Sequence, residues 1–125
     1  MVLEEQIQEA YKTAAGYPDL VMKLITTGVQ SYTVEVATGI VLYRFEGGRH
    51  LLHQQQKIAR EVAEEFNYDL TVQAVKDTQQ GKTDYPAFLN DIAKAGVRFY
   101  EATFTGNLRV TYVGAGGFYE EEIPV

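Results

Sequence analysis

Apolar residues recur every four positions at the start of the chain, at Leu3, Ile7, Tyr11 and Ala15, with Ala10 and Ala14 beside them. That spacing lays one apolar stripe along a helix of about 12 residues. Glu4, Glu5 and Glu9 fall toward its positive N-terminal end, and Gly16 stops it. Pro18 suits the first turn of a second helix, where its missing N–H costs no hydrogen bond. Leu20, Val21, Leu24 and Ile25 form that helix's buried side, and Gly28 ends it. From Val29 the period drops from 3.6 to 2. Tyr32, Val34 and Val36 point one way; Ser31, Thr33 and Glu35 point the other. Thr38-Gly39 predicts a hairpin turn and residues 40–45 the return strand.

That return strand is apolar on both sides. Ile40 and Leu42 share one face, and Val41, Tyr43 and Phe45 share the other. If Ile40 and Leu42 meet the helices, the second trio lies outward, and Phe99 and Tyr119 extend it. A loop at Glu46-Gly47-Gly48-Arg49 follows. Residues 52–66 read as a helix, with Ile58, Val62 and Phe66 on its stripe and Arg60, Glu61, Glu64 and Glu65 outside. Leu70, Ala74 and Val75 mark another short helix, ending near Gly81.

Then the pattern repeats. Tyr17, Pro18, Gly28, Val29 and Tyr32 recur as Tyr85, Pro86, Gly96, Val97 and Tyr100, each 68 positions later. Phe88, Leu89, Ile92 and Ala93 renew the buried side of the second helix. Tyr100, Ala102 and Phe104 renew the strand, Gly106-Asn107 its turn, and Leu108, Val110 and Tyr112 the return. Residues 118–123 form a last strand. Helix faces, turns and strand parity agree at one offset. The expected architecture is therefore a single domain over residues 1–125, with an internal repeat of residues 3–46 and 71–113. Two helix–helix–β-hairpin units, related by a pseudo-two-fold, form one antiparallel sheet covered by helices, an α+β fold.

Composition narrows the function classes. The 125 residues include 17 acids and 11 bases, for a net charge of −6, and no two bases are adjacent. A nucleic-acid surface needs clustered Lys and Arg, so none is expected. Cysteine is absent, which removes disulfides, thiolate metal sites and a Cys nucleophile. The acidic first residues lack the apolar segment of a signal peptide. No apolar run nears the roughly 20 residues of a membrane span. A cytoplasmic protein that binds no membrane and carries no cofactor is the expectation.

Gln80-Gly81-Lys82-Thr83-Asp84-Tyr85 resembles the YbcV-like family of small bacterial and prophage proteins of unknown function, some labelled "phage envelope protein". Phe88, Ala93-Lys94, Gly96-Val97, Tyr100, Thr111-Tyr112 and Glu122-Ile123-Pro124 extend the likeness, as does Pro18 through Tyr32. The chain departs from it in lacking Cys near Leu89 and Ile92 and Trp near Tyr100. The resemblance implies an α+β fold and brings no activity or catalytic residues.

Chemistry-bearing groups are few. Gly81-Lys82-Thr83 ends like a phosphate-binding loop, but Lys76 stands where that loop needs an earlier glycine. Gly81, Thr83, Asp84, Tyr85 and Pro86 read instead as a helix-to-helix turn, with Thr83 or Asp84 capping the next helix. His50 and His53 share a helical face three residues apart. With Glu46 they are the candidate metal ligands, against the plainer reading of two solvated histidines. Gly47-Gly48-Arg49 offers amides and a guanidinium to an anion, or is a loop with an exposed arginine. Glu120-Glu121-Glu122 reads as a solvated strand that guards a sheet edge. Val41, Tyr43, Phe45 and Phe99 form the candidate binding surface. The 48–66 segment, a homodimer or protein partner, or a small molecule would cover it. A binding module, homodimeric through its sheet face, is the leading expectation. The alternatives are a small enzyme or metal-binding protein using His50 and His53 near Gly47-Gly48, and a phage or host accessory factor.

Overall fold

A computed structural model describes residues 3–54 and 59–123. The fold is α+β: four helices lie on one face of a six-stranded antiparallel sheet, counted among the described residues. Helices α1 (Leu3–Thr13) and α2 (Tyr17–Thr26) lead into strands β1 (Val29–Glu35), β2 (Val41–Phe45) and β3 (His50–His53). Helices α3 (Tyr68–Gln79) and α4 (Tyr85–Lys94) lead into β4 (Val97–Thr103), β5 (Arg109–Gly114) and β6 (Gly117–Glu122). The sheet order is β3-β2-β1-β4-β5-β6. Each half of the chain thus supplies three neighbouring strands, and the halves meet along β1 and β4.

The stripes seen in the sequence are the faces that pack. Ile7 and Ala10 of α1, Val21 and Leu24 of α2, Ala74 and Val75 of α3, and Phe88, Leu89, Ile92 and Ala93 of α4 are all buried. They meet Val34, Val36, Ala102 and Val110 of the sheet in one core. Each fully buried Leu, Ile or Val side chain contributes about 1.5–3 kcal/mol. Pro18 and Pro86 occupy the first turns of α2 and α4. Asn67 caps α3, its side chain accepting from the Leu70 amide at 3.0 Å. Asp84 caps α4, accepting from the Ala87 amide at 3.0 Å. Asp84→Ala should lower stability by about 1 kcal/mol, and Asp84→Asn by much less, when thermal unfolding of the two variants is compared.

The two halves match in detail. Gly28 and Gly96, after α2 and α4, have φ of +95° and +83°. Both β1 and β4 carry an irregularity after their first residue, between Val29 and Ser31 and between Val97 and Phe99. Across the β1–β4 seam Thr33 pairs with Glu101, Tyr32 with Ala102 and Val34 with Tyr100. The central pair joins two residues 68 positions apart, and the pairs on either side are mirror partners at that same offset.

Two expectations need correction. Residues 52–66 do not form one helix. His50–His53 is a strand paired with β2, and residues 59–67 run as an irregular strap. Its amides at Arg60, Ala63 and Asn67 donate to the carbonyls of Ala37, Ala93 and Ala95. Val62 and Phe66 do reach the core, but as a strap. Gly114 and Gly117 leave room for the Phe66 ring, which lies 2.9 Å and 2.6 Å from where their Cβ atoms would stand. Ile58 lies outside the described residues.

The second correction concerns the first hairpin. Tyr43 pairs with Tyr32 and Val41 with Val34, so Val41, Tyr43 and Phe45 face the helices. Tyr43 and Phe45 are each 1% exposed. Leu42 and Arg44 take the outer face. The stretch from Val34 to its partner Val41 is one residue shorter than that from Ala102 to its partner Val110. Carrying one offset through both hairpins therefore reverses the parity of β2, since a one-residue slip moves every side chain to the other face.

Candidate functional site

The helix-free face of the sheet presents alternate residues of all six strands. One row crosses it through His50, Arg44, Ser31, Thr103, Arg109 and Glu122, each paired with the next. The neighbouring row runs through Leu52, Leu42, Thr33, Glu101, Thr111 and Glu120. Hydrogen bonds knit the middle. Arg44 Nη1 donates to Thr33 Oγ1 at 2.8 Å and to Ser31 Oγ at 3.4 Å. It lies 3.8 Å from Glu101 Oε2. Thr33 and Thr103 both donate to that carboxylate, at 3.2 and 3.3 Å. Toward the far edge Thr111 donates to Glu120 at 2.8 Å, and Arg109 Nε sits 3.8 Å from the same oxygen. Exposed pairs of this kind each contribute about 0–1 kcal/mol. Their effect is to fix which charge stands where.

Apolar side chains border this network at both ends. Leu42 and Leu52 pair at the β2–β3 edge, and Phe99, Val113 and Phe118 line up across β4, β5 and β6. Leu52 and Phe118 are each 63% exposed. Beside Leu42 and Leu52 a shallow groove of about 610 Å³ is bordered by Arg44, Arg49, His50 and Gly48.

On the covered face lies a second polar system, made of tyrosines. Tyr17 at the start of α2 hydrogen-bonds Tyr32 of β1, hydroxyl to hydroxyl, at 2.8 Å. Tyr85 at the start of α4 bonds Tyr100 of β4 in the same way, also at 2.8 Å. Tyr11 of α1 bonds Tyr43 at 2.8 Å. Tyr32 and Tyr100 meet edge to face, with centroids 6.4 Å apart. Tyr100, Tyr112 and Tyr119 continue the row, at 5.4 and 6.0 Å. Burial is the main reason these phenols hold their protons. It lifts Tyr43 and Tyr17 from 10.0 to about 12, and Tyr32, Tyr100 and Tyr112 well above their ordinary value. Neighbouring hydroxyls add to the effect for Tyr32 and Tyr100.

Of the residues singled out in the sequence, Phe99 stands on the open face, whereas Val41, Tyr43 and Phe45 stand on the covered one. His50 and His53 do not share a face, because β3 is a strand and three positions turn a side chain over. His50 lies opposite Arg44 on the open side. His53 lies opposite Val41 on the covered side, 3.7 Å from Glu4. Glu46 is exposed in a 3-10 turn, Glu46–Gly48. These three side chains therefore do not converge on one point. Gly81 (φ +74°), Asp84, Tyr85 and Pro86 form the expected turn into α4. Asp84 and not Thr83 is the cap; the Thr83 hydroxyl is buried and unbonded among the described residues. The Arg44–Thr33–Glu101 network was not foreseen, because it needs the β1–β4 seam. The tyrosine pairs had a signal: Tyr17, Tyr32, Tyr85 and Tyr100 are four of the residues repeated at the common offset.

Among the described residues no helix is long and apolar enough to cross a membrane. No curated protein matches the chain. The profile of the family described as "Protein of unknown function (DUF1398)" matches residues 5–117, and the chain belongs to that family.

Proposed function

We propose that this protein is a binding module that works as a homodimer through the open face of its sheet. A duplicated helix–helix–hairpin unit would account for its two matching halves. The observation that carries this reading is the distribution of groups on that face. Leu42 and Leu52 stand with Arg44, Arg49 and His50 at one end; Phe99, Val113 and Phe118 stand with Glu120 and Glu122 at the other. A two-fold axis parallel to the strands would lay the basic end of one copy on the acidic end of the next. Such self-complementarity is what an isologous dimer requires. Six strands about 20 Å long and about 4.8 Å apart present roughly 500–600 Å² per copy, near the ~1,000 Å² total that a specific interface needs.

The resemblance to YbcV-like proteins favours a bacterial or prophage accessory factor as its setting. The net charge of −6 favours a role without nucleic acid. Light scattering tests the dimer. The wild type should have twice the 14.0 kDa mass of the chain. Leu52→Asp combined with Phe118→Asp should return it to the single-chain mass with an unchanged circular-dichroism spectrum. A wild type that stays at the single-chain mass at its highest soluble concentration, or a doubly substituted protein that stays dimeric, would sink the reading.

A further inference from the structure

The two halves of the covered face differ around the second strand of each hairpin. In the first half Tyr43, opposite Tyr32, bonds Tyr11. In the second half Tyr112 holds the same position, opposite Tyr100. Gln79, which stands at the place of Tyr11, turns away to bond Glu121. The Tyr112 side chain is therefore 6% exposed while its hydroxyl bonds nothing among the described residues. Unlike the Thr83 hydroxyl, that of Tyr112 is not sealed in and opens to solvent. The outermost strands differ too. Where β3 places Leu51 and His53 against β2, β6 places Tyr119 and Glu121 against β5.

Glu121 is a half-buried carboxylate on the helix-covered side of an edge strand. Gln79 and Tyr119 donate to it, the latter at 2.7 Å, and it has no cationic partner among the described residues. Aromatic rings wall it. Tyr68 stands perpendicular to Tyr119 at 5.4 Å, and Tyr112 stacks on Tyr119 at 6.0 Å. Burial chiefly, then Tyr17, Glu121, Tyr119 and Tyr85, hold the Tyr112 phenol in its neutral form. Tyr17 and Tyr85, whose hydroxyls act on that phenol, are 40% and 51% exposed.

We propose that this recess, formed by Tyr112, Tyr119, Tyr17 and Glu121, binds a primary ammonium group. The carboxylate supplies the countercharge, the open Tyr112 hydroxyl accepts one N–H, and the ring faces attract the cation. An anion is disfavoured, because Glu121 already places a negative charge there. The site lies on the opposite side of the sheet from the dimer face and is independent of it. The competing role for Glu121 is that of an inward charge blocking edge-to-edge association.

The chain has nine tyrosines and no tryptophan, so a change at the recess tyrosines is read in tyrosine fluorescence without a tryptophan background. Titration with n-butylammonium chloride at constant ionic strength should give a saturable change. Tetramethylammonium, which has no N–H to donate, should bind at least tenfold more weakly, and potassium should give no saturable change. Glu121→Gln should weaken n-butylammonium at least tenfold. Tyr112→Phe, which keeps the ring and its stack, should weaken it several-fold with the melting temperature held. The proposal fails if n-butylammonium gives no saturable change, if tetramethylammonium binds equally well, or if both variants bind like the wild type. Should one variant not fold, the other decides.

Discussion

Stability should collapse as the pH rises above 10, and the tyrosines of the covered face are the main cause. A phenol whose folded pKa is raised stabilises the fold while it keeps its proton. That contribution is whole below the unfolded value of 10.0 and is lost as the pH climbs through the folded value, about 12 for Tyr43. Tyr43 is 1% exposed, so its shift converts to roughly 2–3 kcal/mol. Tyr32, Tyr100 and Tyr112 are likewise held well above their ordinary value, chiefly by burial. The Tyr43 contribution alone is a large fraction of the roughly 5–15 kcal/mol that holds a domain of this size. Urea unfolding followed at pH values between about 8 and 11.5 should show a steep fall beginning near 10. Tyr43→Phe should flatten part of that fall, at the cost of about 1 kcal/mol at neutral pH for stranding the Tyr11 hydroxyl. A stability that stays level while tyrosine absorbance titrates near 10 would overturn the account.

Gly96→Ala should be far more damaging than Gly28→Ala, although the two glycines hold corresponding positions. Both have positive φ, +83° and +95°, where an added Cβ costs about 1–2 kcal/mol. Around Gly28 nothing lies within 4 Å. At Gly96 the new atom would fall on the Glu65 carbonyl, 2.7 Å from its carbon and 2.9 Å from Phe66 Cα. Those are backbone atoms of the strap, which cannot rotate aside. The strap is tied on both sides by the Ala63-to-Ala93 and Asn67-to-Ala95 hydrogen bonds. A loss of about 4 kcal/mol or more is expected for Gly96→Ala, against about 1–2 for Gly28→Ala, in denaturant unfolding. Equal losses would mean that the strap does not hold Gly96 as described.

What the sequence disclosed, and what it hid, divide along physical lines. The helices and the strands that follow them were legible, because local periodicity and glycine–proline punctuation both come from the backbone within a few residues. Val21, Leu24, Leu89 and Ile92 were recognisable as core on that ground alone, and all are buried. The face of β2 was not legible. Its strand is apolar on both sides, so only the hairpin length sets its parity, and that length differs by one residue between the halves. The strap at residues 59–67 misled for another reason. Val62 and Phe66 are four apart, as on a helix, but Phe66 is held by the room that Gly114 and Gly117 leave in distant strands. The open-face network could not be foreseen, because Arg44, Thr33 and Glu101 come together only across the central seam.

The seam also has a consequence for synthesis on the ribosome. All three strands of the first half can fold against α1 and α2 as soon as they emerge, but β1 pairs on its far side only with β4. Until β4 is made, the nascent chain carries a bare row of amides and carbonyls along Gln30, Tyr32, Val34 and Val36. Another nascent copy on the same message could join there. Slowing translation between α3 and β4 should therefore increase misassembly between chains, while leaving the finished protein's stability untouched.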